Sequence, residues 1–438
     1  MRKIAFLCIV ITAASPLWSQ VQPSGSGGGG GLGDSRMLTP APVGGDAYPS
    51  GVGSEERSNY LAGGLVFTGA YVDNLMVVSG ESTSDETYSL VPTIGFDRKT
   101  PRQSQSLGYS AGFTLYQHTS DLNSVAQSAS GSYQFRLTKY AVLVLGDSFQ
   151  QNNNLYNQSN PFAGGGGQVP PGQANVISPF QNQLSNTSSA GLHYQYARNA
   201  MIGASGSYSL QQFSESASGL NNEGTAGASG FFSRRIAGSH YVGVRYQFSK
   251  FVTHPIDTYT LTHILFGFYT HYFTPSFSFS VLGGPEHYIT WGSGAPSQSA
   301  WTPAVQGSFG WQTPLTNVTA SYSHVVSGAG GLIGTYRSDL IGLSGRRALS
   351  RTWDIGANVN YSLYDNVNTS AATVYGTGGN GIFGGVYVDH RFTERFNGQF
   401  GYSHFHQDYA DIPSASNSPD SNRVYVSIMY GFNRPLGR

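Results

Sequence analysis

Few residues of this chain stand in patterns that could perform chemistry. His404 and His406 are two positions apart, so a β-strand would place both on one face, where such a pair can hold Zn²⁺ or Cu²⁺. Because the sequence specifies no third ligand, we interpret the two histidines as part of a polar, aromatic-rich rim. The four glycines at 164–167 lack the Lys-Ser/Thr that ends a phosphate-binding loop, so they predict a flexible connection.

Serine–histidine pairs suggest a second chemistry, that of a hydrolase. Ser323 precedes His324 and Ser403 precedes His404, but adjacent residues of a strand point to opposite faces and cannot form a nucleophile and its base directly. The only cysteine, Cys8, lies in the first 20 residues, which are predicted below to be removed. We therefore expect no catalytic residue, no metal site and no cofactor, and we do not predict an enzyme.

The composition excludes several classes of protein. Only 23 Lys and Arg and 23 Asp and Glu occur in 438 residues, about half of the charge usual in a soluble domain. After the N-terminus no stretch approaches the ~20 apolar residues of a membrane helix, and an aromatic content of 13% argues against disorder. The formal net charge is zero, which gives no indication of a nucleic-acid partner.

The N-terminal residues divide into two segments that precede the folded part. Residues 1–19 begin with Arg2 and Lys3, continue with an apolar stretch and end in small residues, as a secretory signal peptide does. Residues 20–58 contain the run GSGGGGGLGD and have no periodic apolar pattern, which predicts a flexible Gly/Ser/Pro-rich tail.

From residue 59 to residue 438, apolar side chains recur at every second position, the period of a β-strand. In the last segment Val424, Val426 and Ile428 alternate with Tyr425 and Ser427. The second face of these segments is rich in Ser, Gly, Gln and Asn, which is typical of a barrel interior. We predict strands near 60–72, 86–97, 105–118, 124–136, 140–151, 184–196, 201–213, 222–234, 240–251, 258–272, 276–289, 300–312, 315–326, 335–346, 351–364, 381–392, 395–407 and 422–433.

The connections between these eighteen segments predict how the strands are arranged. Short links alternate with longer ones such as 152–183 and 408–421, and Lys and Arg concentrate at the short links while Asp and Glu concentrate at the long ones. This alternation predicts a transmembrane antiparallel up-and-down β-barrel of about 18 strands, with 16 as the alternative, and with both termini in the periplasm. The faces are ambiguous in the fifth, tenth and fourteenth segments, where apolar residues occupy both registers.

Over residues 59–438 the chain resembles the outer-membrane β-barrels of Gram-negative bacteria. The resemblance rests on the signal peptide, the alternating strands and a final strand VYVSIMYGF, in which Tyr430 and Phe432 are similar to the aromatic insertion signal of such barrels. The chain departs from that pattern because NRPLGR follows the aromatic residue. The resemblance implies location in the cell outer membrane, contact with its lipid, and insertion by the barrel-assembly machinery.

The predicted lumen gives the best indication of function. If the registers are correct, the candidate pore-lining charged and titratable residues are His193, Arg245, Glu286, Arg337, Asp339 and Asp389. Such a mixed, weakly charged wall favours small polar, mostly neutral solutes, because single-sign rings select ions. The uncharged loop 152–183 has apolar residues that could fold onto the inner wall and constrict the channel, namely Phe162, Val169, Ile177 and Phe180.

Three functions remain open on these grounds. The first is a porin-like channel for passive diffusion, since barrels of 16 to 18 strands leave an aqueous path. The second is an outer-membrane component that exports or assembles a surface polysaccharide. The third is a non-conducting structural or adhesive barrel that acts through its outer loops. Association into a homo-oligomer is open under each of them.

Overall fold

A computed structural model of the chain describes ten stretches within residues 58–435. The predicted signal peptide, the predicted tail except Ser58, and nearly all of the 152–183 connection lie outside the described residues. The four predicted constriction residues in that connection lie outside them too. The described stretches are 58–75, 83–152, 182–213, 221–254, 257–274, 276–292, 295–328, 335–367, 378–409 and 417–435.

The described residues form eighteen β-strands, which confirms the predicted number. No helix among them is long and apolar enough to cross a membrane. The strands are β1 (Ser58–Val72), β2 (Asp85–Lys99), β3 (Gln103–Tyr116), β4 (Ser124–Arg136), β5 (Ala141–Asn152), β6 (Gln183–Ala197), β7 (Ala200–Phe213), β8 (Asn222–Ala237), β9 (His240–His254), β10 (Thr258–Thr274), β11 (Phe277–Gly292), β12 (Ala295–Gln312), β13 (Thr316–Ser327), β14 (Tyr336–Ala348), β15 (Trp353–Asn366), β16 (Gly378–Arg391), β17 (Phe396–Tyr409) and β18 (Asn417–Pro435).

Each strand pairs antiparallel with the next, and β1 pairs with β18, so the sheet closes into an up-and-down barrel. At the closure Phe67 lies opposite Ile428, and on its other side it lies opposite Leu90 of β2. Closure satisfies the hydrogen-bonding edges that an open sheet would leave exposed. The predicted barrel topology is therefore confirmed.

The two ends of the barrel differ in the length of their links. At one end the eight links are 100–102, 137–140, 198–199, 238–239, 275–276, 313–315, 349–352 and 392–395, and the strands leading to both termini also end there. At the other end most links are longer. Two links at this end are short. Residues 255–257 join β9 to β10, and residues 293–294 join β11, which ends at Gly292, to β12, which begins at Ala295. We expected a ten-residue link at 290–299; strand pairing continues through most of it.

Hydroxyl side chains build several of the tight turns. Thr138 Oγ1 accepts hydrogen bonds from the backbone N–H groups of Tyr140 and Ala141, at 3.1 and 3.0 Å. Thr393 accepts two such bonds, and Thr313 accepts one from Thr316. A Ser or Thr that bonds to the backbone two or three residues ahead favours a turn, which explains why these links are short.

The outer face of the barrel is apolar. Phe67, Leu90, Phe113, Val125 and Ile428 share one face across five neighbouring strands, and each is more than 40% exposed. The other face is concave and mainly polar, and its side chains reach across intervening strands. A closed barrel that is apolar outside and polar inside has the architecture of an outer-membrane β-barrel.

The closing strand carries the predicted insertion residues on the outer face. Tyr430 lies opposite Leu65 and Phe396, and the Phe432 ring lies over Gly63. A Cβ at Gly63 would lie only 2.5 Å from that ring, so a larger residue there would displace the Phe432 side chain. The recognition of these aromatic residues by an assembly machinery stays a prediction.

Candidate channel lumen

Hydroxyl side chains dominate the inner face between β3 and β8. They hydrogen-bond to each other across neighbouring strands, and the bonds are Ser110–Ser128 at 2.7 Å, Thr187–Ser209 at 2.9 Å and Ser205–Ser229 at 2.8 Å. Serine is abundant here because its small side chain fits an inward position and its hydroxyl remains satisfied by a neighbour or by water. This sector is therefore a polar, mostly uncharged wall, which we call the hydroxyl wall.

Four of the six predicted pore-lining residues lie on the inner face. His193 of β6 packs edge-on against Phe231 of β8, with ring centroids 5.6 Å apart. Arg245 of β9 lies opposite Phe231 and also opposite Phe266 of β10. Glu286 of β11 is also inward, but its side chain is fully buried, so it faces protein instead of an open lumen.

The fourth inward residue, Asp389, lies near the short-link end in a charged group. It is opposite Asp354, which accepts a hydrogen bond of 2.7 Å from the Arg346 guanidinium. Arg346 and Asp354 thus neutralise each other within the wall, and Asp389 adds a second carboxylate beside them.

The other two predicted pore-lining residues, Arg337 and Asp339, lie on the outer face, so their assignment to the lumen is wrong. They share a face of β14 with Ile341 and Leu343, which are 46% and 50% exposed. Apolar residues occupy both registers of this strand, and the inward ones include the buried Leu340. Alternation alone therefore could not distinguish the two faces.

Arg337 and Asp339 instead belong to a polar rim near the long-link end. Asp339 Oδ1 accepts a hydrogen bond of 2.7 Å from the Tyr322 hydroxyl, and it lies 2.8 Å from His324 Nδ1. Arg337 forms an ion pair with Asp365 at 3.4 Å. These residues satisfy each other where the lipid belt ends, so they do not contribute to a selectivity filter.

The His404–His406 pair belongs to the same rim. His404 Nδ1 lies 2.9 Å from Asn422 Oδ1, which also accepts a hydrogen bond of 2.6 Å from the Tyr402 hydroxyl. His406 Nδ1 lies 2.8 Å from Asp420 Oδ1. The Tyr-Ser-His sequences of β13 and β17 thus form the same arrangement, in which Tyr and His converge on one polar side chain of the next strand.

The largest departure from a simple barrel is an inward fold at the long-link end of β13 and β14. We call residues 325–328 and 335–336 the inner corner. The Val326 N–H donates a hydrogen bond of 2.9 Å to Glu286 Oε2 of β11. This bond joins β13 to β11 across the inner side of β12. The backbone of Gly328 contacts the Glu223 carboxylate of β8 so closely that a Cβ would clash.

A third contact holds the inner corner to β10 and β11. Thr335 Oγ1 is hydrogen-bonded to Thr260 Oγ1 and, at 3.1 Å, to Thr290 Oγ1. The corner therefore extends from β13 across the inner faces of β12, β11, β10 and β9 to β8. At ~4.8 Å per strand this is a span of roughly 24 Å along the wall. It narrows the lumen at this end.

An apolar cluster lies where the inner corner meets the wall. Ile264, Phe266 and Phe268 all point inward from β10, and they pack with Leu282, Ala304 and the corner residue Val325. Each of the six is no more than 7% exposed. The inner corner covers the inward apolar residues of β10. Without it, Phe266 would face an aqueous lumen.

A pair of prolines explains why β13 leaves the wall. The pairing of β12 with β13 ends at Val305 and His324, although β12 continues along β11 to Ala295. Pro303 lies directly opposite Pro285 of β11. Because proline has no N–H, Pro285 and Pro303 must form a pair without hydrogen bonds between β11 and β12. The backbone nitrogen of Pro303 then points to β13. It has no proton to donate, so the hydrogen bonds between β12 and β13 cannot continue at this position.

Sequence reasoning did not find the inner corner. The signals that could have indicated it are a carboxylate in the middle of an apolar strand, at Glu286, and the proline at position 303. The corner is instead a tertiary feature, because it depends on contacts between β8, β10, β11 and β13.

No protein-family model matches the sequence, and no curated protein is similar to it at a significant level. Solved structures with a similar fold include OccAB4 of Acinetobacter baumannii, with 9% identity over 86% of this chain and 100% of that chain and a TM-score of 0.41. The outer membrane protein opdK of Pseudomonas aeruginosa has 11% identity over 85% and 99%, with a TM-score of 0.42. OccK2 (OpdF) of Pseudomonas aeruginosa in complex with glucuronate has 10% identity over 86% and 98%, with a TM-score of 0.43. None of these similarities assigns a function to this chain.

Proposed function

We propose that this protein is a porin-like channel of the outer membrane, through which small polar solutes diffuse passively. The observation that carries the proposal is the contrast between the two faces of a closed 18-strand barrel, apolar outside and lined by hydroxyl groups inside. A barrel of this strand number is wide enough for an aqueous path. The apolar outer face requires lipid, and a signal peptide would export the chain to it.

The hydroxyl wall supports a preference for uncharged solutes. Ser110, Ser128, Ser205 and Ser229 offer hydrogen bonds to a passing solute without a fixed charge that would attract or repel an ion. Near the short-link end Arg346 and Asp354 neutralise each other, and Asp389 beside them is buried. Neutral solutes should therefore pass at least as well as ions of the same size.

The inner corner would limit the size of the solute. It is attached to the wall by Glu286, Glu223 and the Thr260–Thr290–Thr335 group, so it remains in place while solutes pass. The loop 152–183 is a second proposed constriction, through Phe162, Val169, Ile177 and Phe180. The two constrictions are separable, because one belongs to β13–β14 and the other to the β5–β6 connection.

Conductance in planar lipid bilayers tests the proposal. We expect stepwise, lasting conductance from the purified barrel, and liposomes that contain it should swell faster in mannitol than in gluconate or protonated glucosamine of similar size. A correctly folded barrel without conductance would contradict the channel and leave the export and adhesive functions. Faster passage of one charged solute would contradict the preference for neutral ones.

A deletion distinguishes the two constrictions. Removal of residues 161–174 should raise single-channel conductance and admit larger sugars if the β5–β6 loop narrows the lumen. An unchanged conductance and size limit in the folded deletion variant would leave the inner corner as the narrowing element. Every residue of β5 pairs with a residue of β6, so the pairing of these two strands uses no residue of the deleted segment.

A further inference from the structure

One side of the outer face does not suit lipid. Asp147 lies on the outer face of β5, between Leu145 and Phe149, and it is the seventh of the twelve residues of that strand. Its carboxylate accepts hydrogen bonds from Ser188 Oγ at 2.6 Å and from Asn186 Nδ2 at 3.2 Å. A carboxylate at mid-strand on a lipid-facing surface is unfavourable, and such residues normally face protein or water.

Polar side chains surround this carboxylate on the same outer face. Gln127 of β4 lies opposite Gln151 of β5, and Gln127 Oε1 accepts a hydrogen bond of 3.2 Å from the Tyr109 hydroxyl. Together with Asp147, Asn186 and Ser188 they form a group that we call the polar patch. The amides of Gln127, Gln151 and Asn186 each carry both hydrogen-bond donors and acceptors.

The polar patch continues into a shelf of small residues on β6, β7 and β8. Ala190 lies opposite Gly206, which lies opposite Ala228, and in the next row Ala204 lies opposite Gly230. Large outward residues, such as Leu192 and Tyr208, border this shelf, and the opposite side of the barrel carries Val359, Phe400 and Ile428. Small outward residues bring little apolar contact to lipid, but they allow a second backbone to approach closely, as between membrane helices.

We propose that the polar patch and the adjoining shelf bind a second copy of this chain. Two copies inserted by the same route stand with parallel axes in one membrane, so symmetric copies can present the same patch to each other. The patch is complementary to itself, because glutamine and asparagine amides each supply a donor and an acceptor. Association would remove Asp147 from lipid and place it among these amides.

The size of the surface agrees with this occupant. Strands β4 to β8 are roughly 24 Å wide at ~4.8 Å per strand, and the lipid belt is roughly 25 Å tall. One copy would thus contribute roughly 600 Å², and two copies roughly 1,200 Å², which reaches the lower limit of specific protein interfaces. The proposal does not depend on conduction, because it concerns only the outer face.

Cross-linking in native outer membranes tests the proposal. The mature chain has no thiol once Cys8 is removed with the signal, so single cysteines report on one position. We expect Ser188→Cys and Ala228→Cys to give bands of two or more copies with a bismaleimide, at least tenfold stronger than those from Val359→Cys on the opposite side. Equal cross-linking at all three positions, or none at Ser188 and Ala228, would overturn the proposal.

Two substitutions test whether this face holds the oligomer together. Asp147→Leu removes the carboxylate and Ala228→Trp fills the shelf, so both should reduce the detergent-solubilised oligomer to a monomer that still migrates as a folded barrel. Val359→Trp should leave the oligomer intact. Wild-type protein that is a monomer, an oligomer that survives both substitutions, or a cross-linked band that contains a different protein would each overturn the second-copy proposal.

Discussion

At the scale of single residues, Asp85 shows how one carboxylate shapes a loop at the long-link end. It is the first residue of β2, at the long-link end, and its buried side chain accepts hydrogen bonds from the Thr119 hydroxyl at 2.6 Å and from the N–H groups of His118 and Thr119. A strand needs only about 9–11 residues to cross the lipid, and β2 has 15, so Asp85 lies beyond the lipid belt. Burial by itself raises the pKa of Asp85, but these hydrogen bonds lower it to about 2.

The charge of Asp85 should protect the loop 117–123 from proteolysis. Because its pKa is lower in the folded protein, the stabilisation is complete above the ordinary pKa near 4 and is lost as the pH falls through about 2. Asp85→Asn should therefore be cleaved by pepsin beside Leu122 faster than wild type at pH 4. At pH 2 the difference should be much smaller, because about half of the Asp85 carboxyl groups are then protonated. Equal rates at pH 4 would contradict the role of the charge.

A second residue-scale prediction tests which face of a strand contacts lipid. Val359 and Asn358 are neighbours in β15, and the structure places Val359 outward and Asn358 inward. A lysine on the lipid face costs about 2 to 4 kcal/mol at mid-depth, whereas an inward lysine can reach water. Val359→Lys should reduce the amount of folded barrel in the outer membrane, as measured by heat-modifiable gel migration. Asn358→Lys should fold at the wild-type level, and equal loss from both would show that the faces are reversed.

At the scale of strands, alternation predicted each element but not every face. It succeeded wherever one face met lipid and the other met water, as in β18, where Ile428 is outward and Ser427 is inward. It failed in β14, where Leu340 and Ile341 are both apolar, because the inner corner makes part of the inner face a packed interior. The alternation of apolar and polar residues reflects the surroundings of the two faces of a strand. Where both faces meet apolar surroundings, both carry apolar residues, and the alternation no longer distinguishes the faces.

The attachment of the inner corner should control the steadiness of the channel. Glu286→Ala removes the acceptor of the Val326 N–H and leaves that buried group unpaired, which costs about 1–3 kcal/mol. This raises the population of a detached corner by roughly tenfold to a hundredfold. We expect the variant to flicker between conductance levels in single-channel recordings where wild type is steady.

A matched variant separates this effect from general damage to the inner wall. Thr187→Val also removes an inward hydroxyl that is hydrogen-bonded across strands, to Ser209, but it lies on the hydroxyl wall away from the corner. Its recordings should be as steady as those of wild type. Flicker of the same frequency in Thr187→Val, or none in Glu286→Ala, would mean that the corner does not gate the lumen.

At the scale of the whole molecule, the number of strands was predictable because each crossing must repeat the same alternation and end in a turn. Links such as 137–140 and 392–395 carry their own turn signals, Thr138 and Thr393. The inner corner was not predictable in this way. It depends on Glu223 and Glu286 meeting residues about 100 and 40 positions later in the chain, and no local pattern encodes such a contact.

The difference between the two ends of the barrel predicts its orientation in the membrane. The strands that lead to both termini end beside the short links, and barrels of this architecture keep short turns in the periplasm and long loops outside the cell. Epitope tags inserted at 161–174, or in the connection between Tyr409 and Asn417, should therefore bind antibody on intact cells. Tags in the turns 137–140 and 392–395 should bind it only after the outer membrane is permeabilised. Labelling of the second pair on intact cells, with the first pair silent, would reverse the orientation and place the inner corner at the periplasmic mouth of the barrel.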